Sequence, residues 1–231
     1  MNARERILSA VNKEKVDRIP CDCWYTPEIL DSLKRHFGVS NNLDLWQKLK
    51  IDKIIWINFF TNIAPLFKEY VGPSRPDNED AWGARYKLQS YGNGMGTYQE
   101  WSYQPLATME TITQVKNNYI FPKVEWFDIF NIKKKLQRYQ GYPLLAGCAA
   151  PWSMYNSIRG LEKSMMDIAI NKEYAHYVIG KIFDFEYAFL ERLFEAGGDL
   201  IDFTFLADDF GTANDLLIQI NSSSRFSNDL L

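Results

Sequence analysis

Two adjacent aspartates, Asp208 and Asp209, are the residues whose type and position best suit chemistry. They end the apolar run DLIDFTFLADD (199–209), which predicts a buried strand. In parallel β/α proteins the loops after the strands carry the acids and bases. A carboxylate pair so placed can divide into one group with a raised pKa and one with an ordinary pKa. The structural alternative is a helix N-cap at one aspartate and a turn contact at the other.

A second group of candidates surrounds a proline-tryptophan turn. The strand candidate YPLLAGCAA (142–150) is broken by Pro151 and Trp152, so this turn is expected at the same edge as the aspartates. Trp152 is a candidate pocket wall or a packing residue. Arg159, further along the following helix, is a candidate for an anionic ligand or for a helix surface. Trp24 is a further candidate for substrate contact. The 15 Phe, 13 Tyr and 7 Trp suit either a pocket for a large flat ligand or bulky core packing.

The residues that commonly bind metals are few and scattered. His36 ends a predicted amphipathic helix, and His176 lies on a predicted long helix, so both are expected to be surface or interhelix residues. Cys21 and Cys23 alternate along the strand candidate CDCW (21–24), which directs their side chains to opposite faces. We therefore predict no metal site in this chain.

The composition argues against two classes of partner. The net charge of -3 over 231 residues argues against nucleic acid, because phosphate binding needs clustered Lys and Arg side chains. No apolar run approaches the roughly 20 residues of a membrane-spanning helix, and the start MNARERILSA lacks the apolar core of a signal peptide. Three cysteines suit a reducing cytoplasm better than a disulfide framework. We therefore predict a cytoplasmic protein without nucleic-acid or membrane partners.

The elements that position these candidates alternate between strand and helix, the pattern of parallel β/α units. A long helix is predicted from Asn171 to Gly197, with a buried stripe every three or four residues. Residues 62–106 interrupt the alternation as a hairpin-rich insertion, centred on Asn93-Gly94, that folds over the end of a barrel. Four buried strands are predicted: CDCW (21–24), IDKIIWINFF (51–60), YPLLAGCAA (142–150) and DLIDFTFLADD (199–209).

Four strands are half of the number that a closed TIM-type (β/α)8 barrel contains. We therefore expect an α/β fold, a partial barrel whose C-terminal strands are missing, over residues 1–218. The tail QINSSSRFSNDLL (219–231) has a serine run and no helical periodicity, so we expect an atypical segment, with disorder as one interpretation. A premature stop, a frameshift and a degenerate gene would each explain such a tail. Open strand edges invite pairing with a second chain.

Several motifs along the chain resemble those of a known family. APWSM (150–154), together with RERIL (4–8) and DRIP (17–20), resembles the Ala-Pro-Trp-Thr-Leu part of the signature and the opening of the uroporphyrinogen decarboxylase superfamily. ADDFGT (207–212) and DAWG (80–83) resemble segments of the branch of corrinoid-dependent methyltransferases. The resemblance implies a β/α barrel in which residues 1–218 form the N-terminal part.

The resemblance favours the methyltransferase branch over the decarboxylases. Uroporphyrinogen decarboxylases carry arginines just after the first strand to bind substrate carboxylates, whereas CDCWYTPEILDSLKR (21–35) has none before Arg35. Ser157 stands where the decarboxylases have a tyrosine. The methyltransferase branch implies a zinc ion and a corrinoid for the full-length protein, with the zinc ligands in the second half of the chain. No cofactor is expected within this chain itself.

Three functions remain open from the sequence. The first is a methyltransferase-derived protein that acts with a corrinoid or tetrapyrrole ligand and is incomplete as a catalyst, so that a corrinoid protein or a complementing second chain is an expected partner. The second is a non-catalytic remnant or binding module for a small molecule of this kind. The third is uroporphyrinogen decarboxylation, in which an aspartate would hydrogen-bond the pyrrole nitrogens of the substrate.

Overall fold

The fold is mixed α/β and is organised around a parallel sheet. A computed structural model describes residues 1–57 and 70–217. The described helices are α1 (Ala3–Val11), α2 (Pro27–Phe37), α3 (Asn42–Leu49), α4 (Ile112–Asn118), α5 (Ile132–Gln137), α6 (Pro151–Arg159), α7 (Leu161–Ile170) and α8 (Lys172–Gly197). The described strands are β1 (Ile55–Ile57), β2 (Arg85–Tyr91), β3 (Gly96–Tyr103), β4 (Leu144–Ala149) and β5 (Phe203–Leu206).

The parallel sheet has the order β1-β4-β5. Its register pairs Ile55 with Leu144 and Leu145 with Phe203. The β4–β5 register shifts after Leu145, where Gly147 has a φ of 79°. A side chain at Gly147 would overlap Leu190 of α8, so glycine lets this helix lie close to the strand. Three of the four predicted strands therefore form a parallel sheet, whereas closure into a barrel stays a prediction.

Helix α8 supplies much of the core beneath this sheet. It packs against β4 and against helices α5, α6 and α7. The apolar stripe predicted from the sequence is buried, as the 3.6-residue period requires. Its members are Tyr174, Val178, Ile182, Phe185, Phe189 and Leu193. None of the helices within residues 1–57 and 70–217 is long and apolar enough to cross a membrane.

The predicted hairpin is formed by the antiparallel strands β2 and β3. Asn93 and Gly94, at its tip, have φ values of 52° and 91°, as the Asn-Gly pair indicates. The motif DAWG (80–83) anchors the hairpin, because Trp82 is buried against Phe185 of α8 with ring centroids 5.2 Å apart. Asp80 accepts hydrogen bonds from the amides of Trp82 and Ala84, and burial raises its pKa to about 6.

Ion pairs hold the edge of the sheet at which the strands begin. The Arg4 guanidinium donates to Asp202, at distances of 2.6–3.0 Å, and Asp202 in turn accepts from the Leu144 amide. Arg6 and Arg18 both pair with Asp52, which is 1% exposed and precedes β1. The RERIL and DRIP motifs therefore fasten α1 and the following loop to the sheet. In parallel β/α proteins this edge serves stability.

The structure corrects two predictions in the N-terminal region. CDCW (21–24) is not a strand: Cys21 exchanges hydrogen bonds with Asp52, and the Asp22 carboxylate accepts from the Cys23 amide. Such local side-chain bonds compete with a ladder. The apolar spacing of Ile29, Leu30, Leu33 and Phe37 predicts a buried stripe on α2, but no residue of this helix is buried, and Ile29 is 52% exposed. Periodicity identifies an apolar face without showing what covers it. Residues 58–60, 62–69 and the tail 219–231 lie outside the described ranges.

Candidate functional site

The turn after β4 and the segment after β5 meet at the carboxyl edge of the parallel sheet. Pro151 is the first residue of α6, where its missing amide proton costs nothing. The Asp208 carboxylate accepts from the Trp152 amide at 2.9 Å and from the Ser153 amide at 2.7 Å. It therefore caps α6 from a different element and places negative charge at the positive end of the helix dipole. Asp208 and the Pro151-Trp152 turn are thus neighbours.

Asp209 points to a separate contact. Its carboxylate accepts from the Gly211 amide at 3.1 Å, and the residue is exposed. Asp208 and Asp209 make the two contacts that the structural alternative predicted, a helix cap and a turn. A catalytic role for either carboxylate stays a prediction, and the described contacts do not join them as a pair.

The carboxyl group that does approach Asp208 belongs to Glu186, in the buried stripe of α8. Glu186 is 3% exposed, and its Oε1 accepts from the Ala150 amide at 3.3 Å. Within residues 1–57 and 70–217 its Oε2 has no hydrogen-bond partner. Burial, with a contribution from the charge of Asp208, raises the pKa of Glu186 to about 8. No sequence motif singles out Glu186, although an acidic side chain four residues after Ile182 and three before Phe189 interrupts an apolar stripe.

Trp152 is almost fully buried beside this carboxyl pair. Its ring stacks on Phe210 with centroids 6.3 Å apart and an interplanar angle of 21°, and it contacts Tyr155 at 6.1 Å. Its indole Nε1 is buried without a hydrogen-bond partner among the described residues. Phe210 is 39% exposed and covers Trp152 from the segment after β5. Trp152 therefore packs between Tyr155 and Phe210, of which Phe210 is the more accessible ring, and its role as a pocket wall stays a prediction.

The Arg159 side chain is not available to bind a ligand. It is 1% exposed, and all five of its N–H groups donate within the protein. The acceptors are the Asp167 carboxylate (2.8 and 3.2 Å), the carbonyls of Leu106 (2.6 Å) and Met109 (2.9 Å), and Glu110 (3.3 Å). The prediction that Arg159 binds an anion is therefore wrong. Its guanidinium instead holds the segment that follows the hairpin, through the carbonyls of Leu106 and Met109.

Trp24 belongs to a second aromatic group, on the sheet itself. It is 71% exposed and meets Trp56 of β1 edge to face at 5.3 Å. Trp56 in turn lies 5.2 Å from Phe205 of β5, and the Lys53 ammonium lies 5.2 Å from the Trp24 ring centroid. This group joins the two outer strands, and the contact of Trp24 with a substrate stays a prediction.

The described residues do not fit a zinc ion. Among residues 1–57 and 70–217, no three His, Cys, Asp or Glu side chains are grouped so that they could hold a metal. His36 packs edge to face on Phe37 at the end of α2, and Cys21 is exposed in a loop. The zinc ion that the family resemblance implies therefore has no ligand set among the described residues.

Removing the cap at Asp208 tests how firmly the two loops are joined. We expect Asp208→Ala to lower the free energy of unfolding by about 0.5–2 kcal/mol, because α6 loses the acceptor for two free amides. Asp208→Asn retains a capping oxygen, and it should cost less. Urea denaturation checks both variants, with Asp209→Ala as the matched neighbour. A cost of Asp208→Ala no larger than that of Asp209→Ala would contradict the capping role.

Comparison with solved structures finds a protein with a similar fold. No protein-family model matches the chain, and no curated protein matches it. A solved methyltransferase from Methanosarcina mazei matches with a TM-score of 0.53 and 14% sequence identity. The match covers 100% of this chain and 65% of the methyltransferase chain, so this chain spans less than two thirds of that structure. At this identity the similarity concerns the fold alone.

Proposed function

We propose that this chain is a methyltransferase-like protein of the β/α-barrel type that binds its ligand at the carboxyl edge of the parallel sheet. The observation that carries the proposal is the contact of Asp208 with the Pro151-Trp152 turn, at the ends of two neighbouring parallel strands. Ligands of open parallel sheets bind at this edge. The similarity in fold to a methyltransferase supports the reaction class.

The side chains at this edge suit the handling of an apolar ligand. The anionic Asp208 fixes the start of α6, and Trp152 with Phe210 forms a stacked aromatic surface beside it. Methyl transfer is a displacement that depends on alignment of donor and acceptor and on exclusion of water. Aromatic rings exclude water from the site, and the reacting atoms belong to the bound methyl donor and acceptor. In this chain the residues therefore bind and orient rather than supply a nucleophile.

The ligand class that we propose is a corrinoid or another flat tetrapyrrole. The support is the exposed aromatic area: Phe210 and Phe205 are 39% and 37% exposed, and Trp24 is 71% exposed. Flat macrocycles stack on such rings. A corrinoid carried by a partner protein, or a second chain that extends the sheet, would meet the same edge. In this proposal the side chains of Trp24 and Phe210 contact the ligand. The residues that border the site are Asp208, Asp209, Pro151 and Trp152.

A titration with hydroxocobalamin tests the proposal. Saturable binding to the full chain, followed by quenching of tryptophan fluorescence, is the expected result. Phe210→Ala and Trp24→Ala should each weaken binding by roughly two- to tenfold, since an aromatic contact contributes about 0.5–1.5 kcal/mol. Trp101, a half-exposed residue of β3, provides the control Trp101→Ala.

Equal weakening in Trp101→Ala, or the absence of saturable binding, would contradict the proposed site. Carbon dioxide release from uroporphyrinogen by the purified chain would instead favour the decarboxylase alternative. All of these substitutions remove exposed rings, so the folded state should persist, and circular dichroism verifies it.

A further inference from the structure

Two carboxyl groups hold the same turn from opposite elements. Glu186 of α8 accepts from the Ala150 amide at 3.3 Å. Asp208, from the segment after β5, accepts from the amides of Trp152 and Ser153 at 2.9 and 2.7 Å. The four residues from Ala150 to Ser153 therefore connect the two acids through backbone hydrogen bonds. The turn itself carries no charged side chain.

The surroundings of the two acids differ. Asp208 is partly exposed and serves the N-terminus of α6, where the helix dipole favours an anion. Glu186 is 3% exposed, and the structure records no ion pair for it within residues 1–57 and 70–217. A buried carboxylate without a cation is strongly disfavoured, and a like charge nearby disfavours it further. Among the described residues, the charge that raises the pKa of Glu186 is that of Asp208, which lies in the segment after β5.

We propose that Glu186 is a positioning residue of the site and the proton-holding partner of Asp208, so that the two carboxyls share one negative charge. The neutral Glu186 accepts the Ala150 amide and holds the turn that carries Trp152. Ionisation of Glu186 would place a second charge beside Asp208 and act against its contact with α6. The pair proposed from the sequence, Asp208 with Asp209, is thereby replaced by Asp208 with Glu186.

This inference deepens the proposed function, on which it rests, because it names the acid of the same site. Its consequence is a change around Trp152 when Glu186 loses its proton. Phe210, which stacks on Trp152, lies two residues after Asp208 and should move with it. The pKa of Glu186, raised to about 8, sets the range in which the change is expected.

A pH titration of the full chain without ligand tests the inference. Tryptophan fluorescence is recorded from acid to alkaline pH, and the signal of Trp152→Phe is subtracted to isolate Trp152. The expected result is a transition with a midpoint near pH 8. Glu186→Gln should abolish this transition, and Asp208→Asn should lower its midpoint because the like charge is gone. Glu191→Gln, an exposed glutamate on the same helix, is the matched control and should leave the midpoint unchanged.

A transition that survives in Glu186→Gln, or a midpoint that Asp208→Asn leaves unchanged, would overturn the inference. A flat profile in the unmodified chain would overturn it as well. Since no ligand is present, these outcomes are independent of the hydroxocobalamin titration. Circular dichroism at each pH confirms that the variants remain folded.

Discussion

Replacement of Arg159 by methionine should lower the free energy of unfolding by roughly 3–5 kcal/mol, because it leaves a buried carboxylate without its cation. Asp167 is 4% exposed and binds the Arg159 guanidinium through two hydrogen bonds. The same guanidinium donates to the carbonyls of Leu106 and Met109, which follow the hairpin. Loss of the guanidinium therefore also removes the hydrogen bonds that join the end of the hairpin insertion to α6. Urea denaturation near neutral pH measures the change.

Two further variants separate the buried charge from lost packing. Arg159→Met with Asp167→Leu removes both charges, and it should recover part of the stability. Arg192→Met breaks an exposed pair with Glu125 and should cost less than about 1 kcal/mol. A cost of Arg159→Met no greater than that of Arg192→Met would show that Arg159 is not the structural residue described above.

The Glu186→Gln variant should become more stable than the unmodified chain as the pH rises. The pKa of Glu186 is raised from 4.5 to about 8 in the folded state. The folded state thus binds the proton more tightly than the unfolded state, and the unmodified chain loses stability between these two pH values. Glutamine mimics the neutral acid and does not titrate. The stability difference should approach roughly 5 kcal/mol above pH 8, from 1.36 kcal/mol per pKa unit.

Urea denaturation of both chains at pH 4 and pH 9 measures this difference, because the other titrating groups contribute equally and cancel. The two chains should have similar stability at the lower pH. Glu191→Gln on the exposed side of α8 should show no such divergence. A Glu186→Gln difference that does not grow with pH would exclude a buried neutral acid at this position.

The sequence predicted the elements whose signals are local. Asn2 and Glu5 have the three-residue spacing of a capping box, and at the start of α1 they exchange hydrogen bonds of 2.8 Å. The buried stripe of α8 follows the apolar period, and the hairpin turns at Asn93 and Gly94. Each of these features depends on residues a few positions apart. The parallel sheet also follows from the alternation of strands and helices, since such units pair their strands in parallel.

The partners of the polar side chains depend on tertiary structure, and the sequence could not supply them. Arg159 lies on an amphipathic helix, and its carbonyl acceptors lie 50 and 53 positions earlier. Asp208 follows a strand, as predicted, yet its partners belong to a turn about 55 residues earlier, at a separation that no local pattern records. Glu186 was visible in principle, because a carboxylate within an apolar stripe needs an explanation. Asp208 and Asp209 are adjacent in the sequence at the end of a strand, but their described hydrogen bonds go to different amides, which no local pattern indicates.

The Arg4–Asp202 contact bears on how the chain acquires its structure during synthesis. The two residues are separated by 198 positions, so α1 emerges from the ribosome long before its acceptor exists. Contacts of such long range slow folding, because a large loop must close before they form. Arg6 and Asp17, only 11 positions apart, are able to hold α1 in the meantime. We therefore expect the contact of the first helix with Asp202, just before β5, to form late in folding.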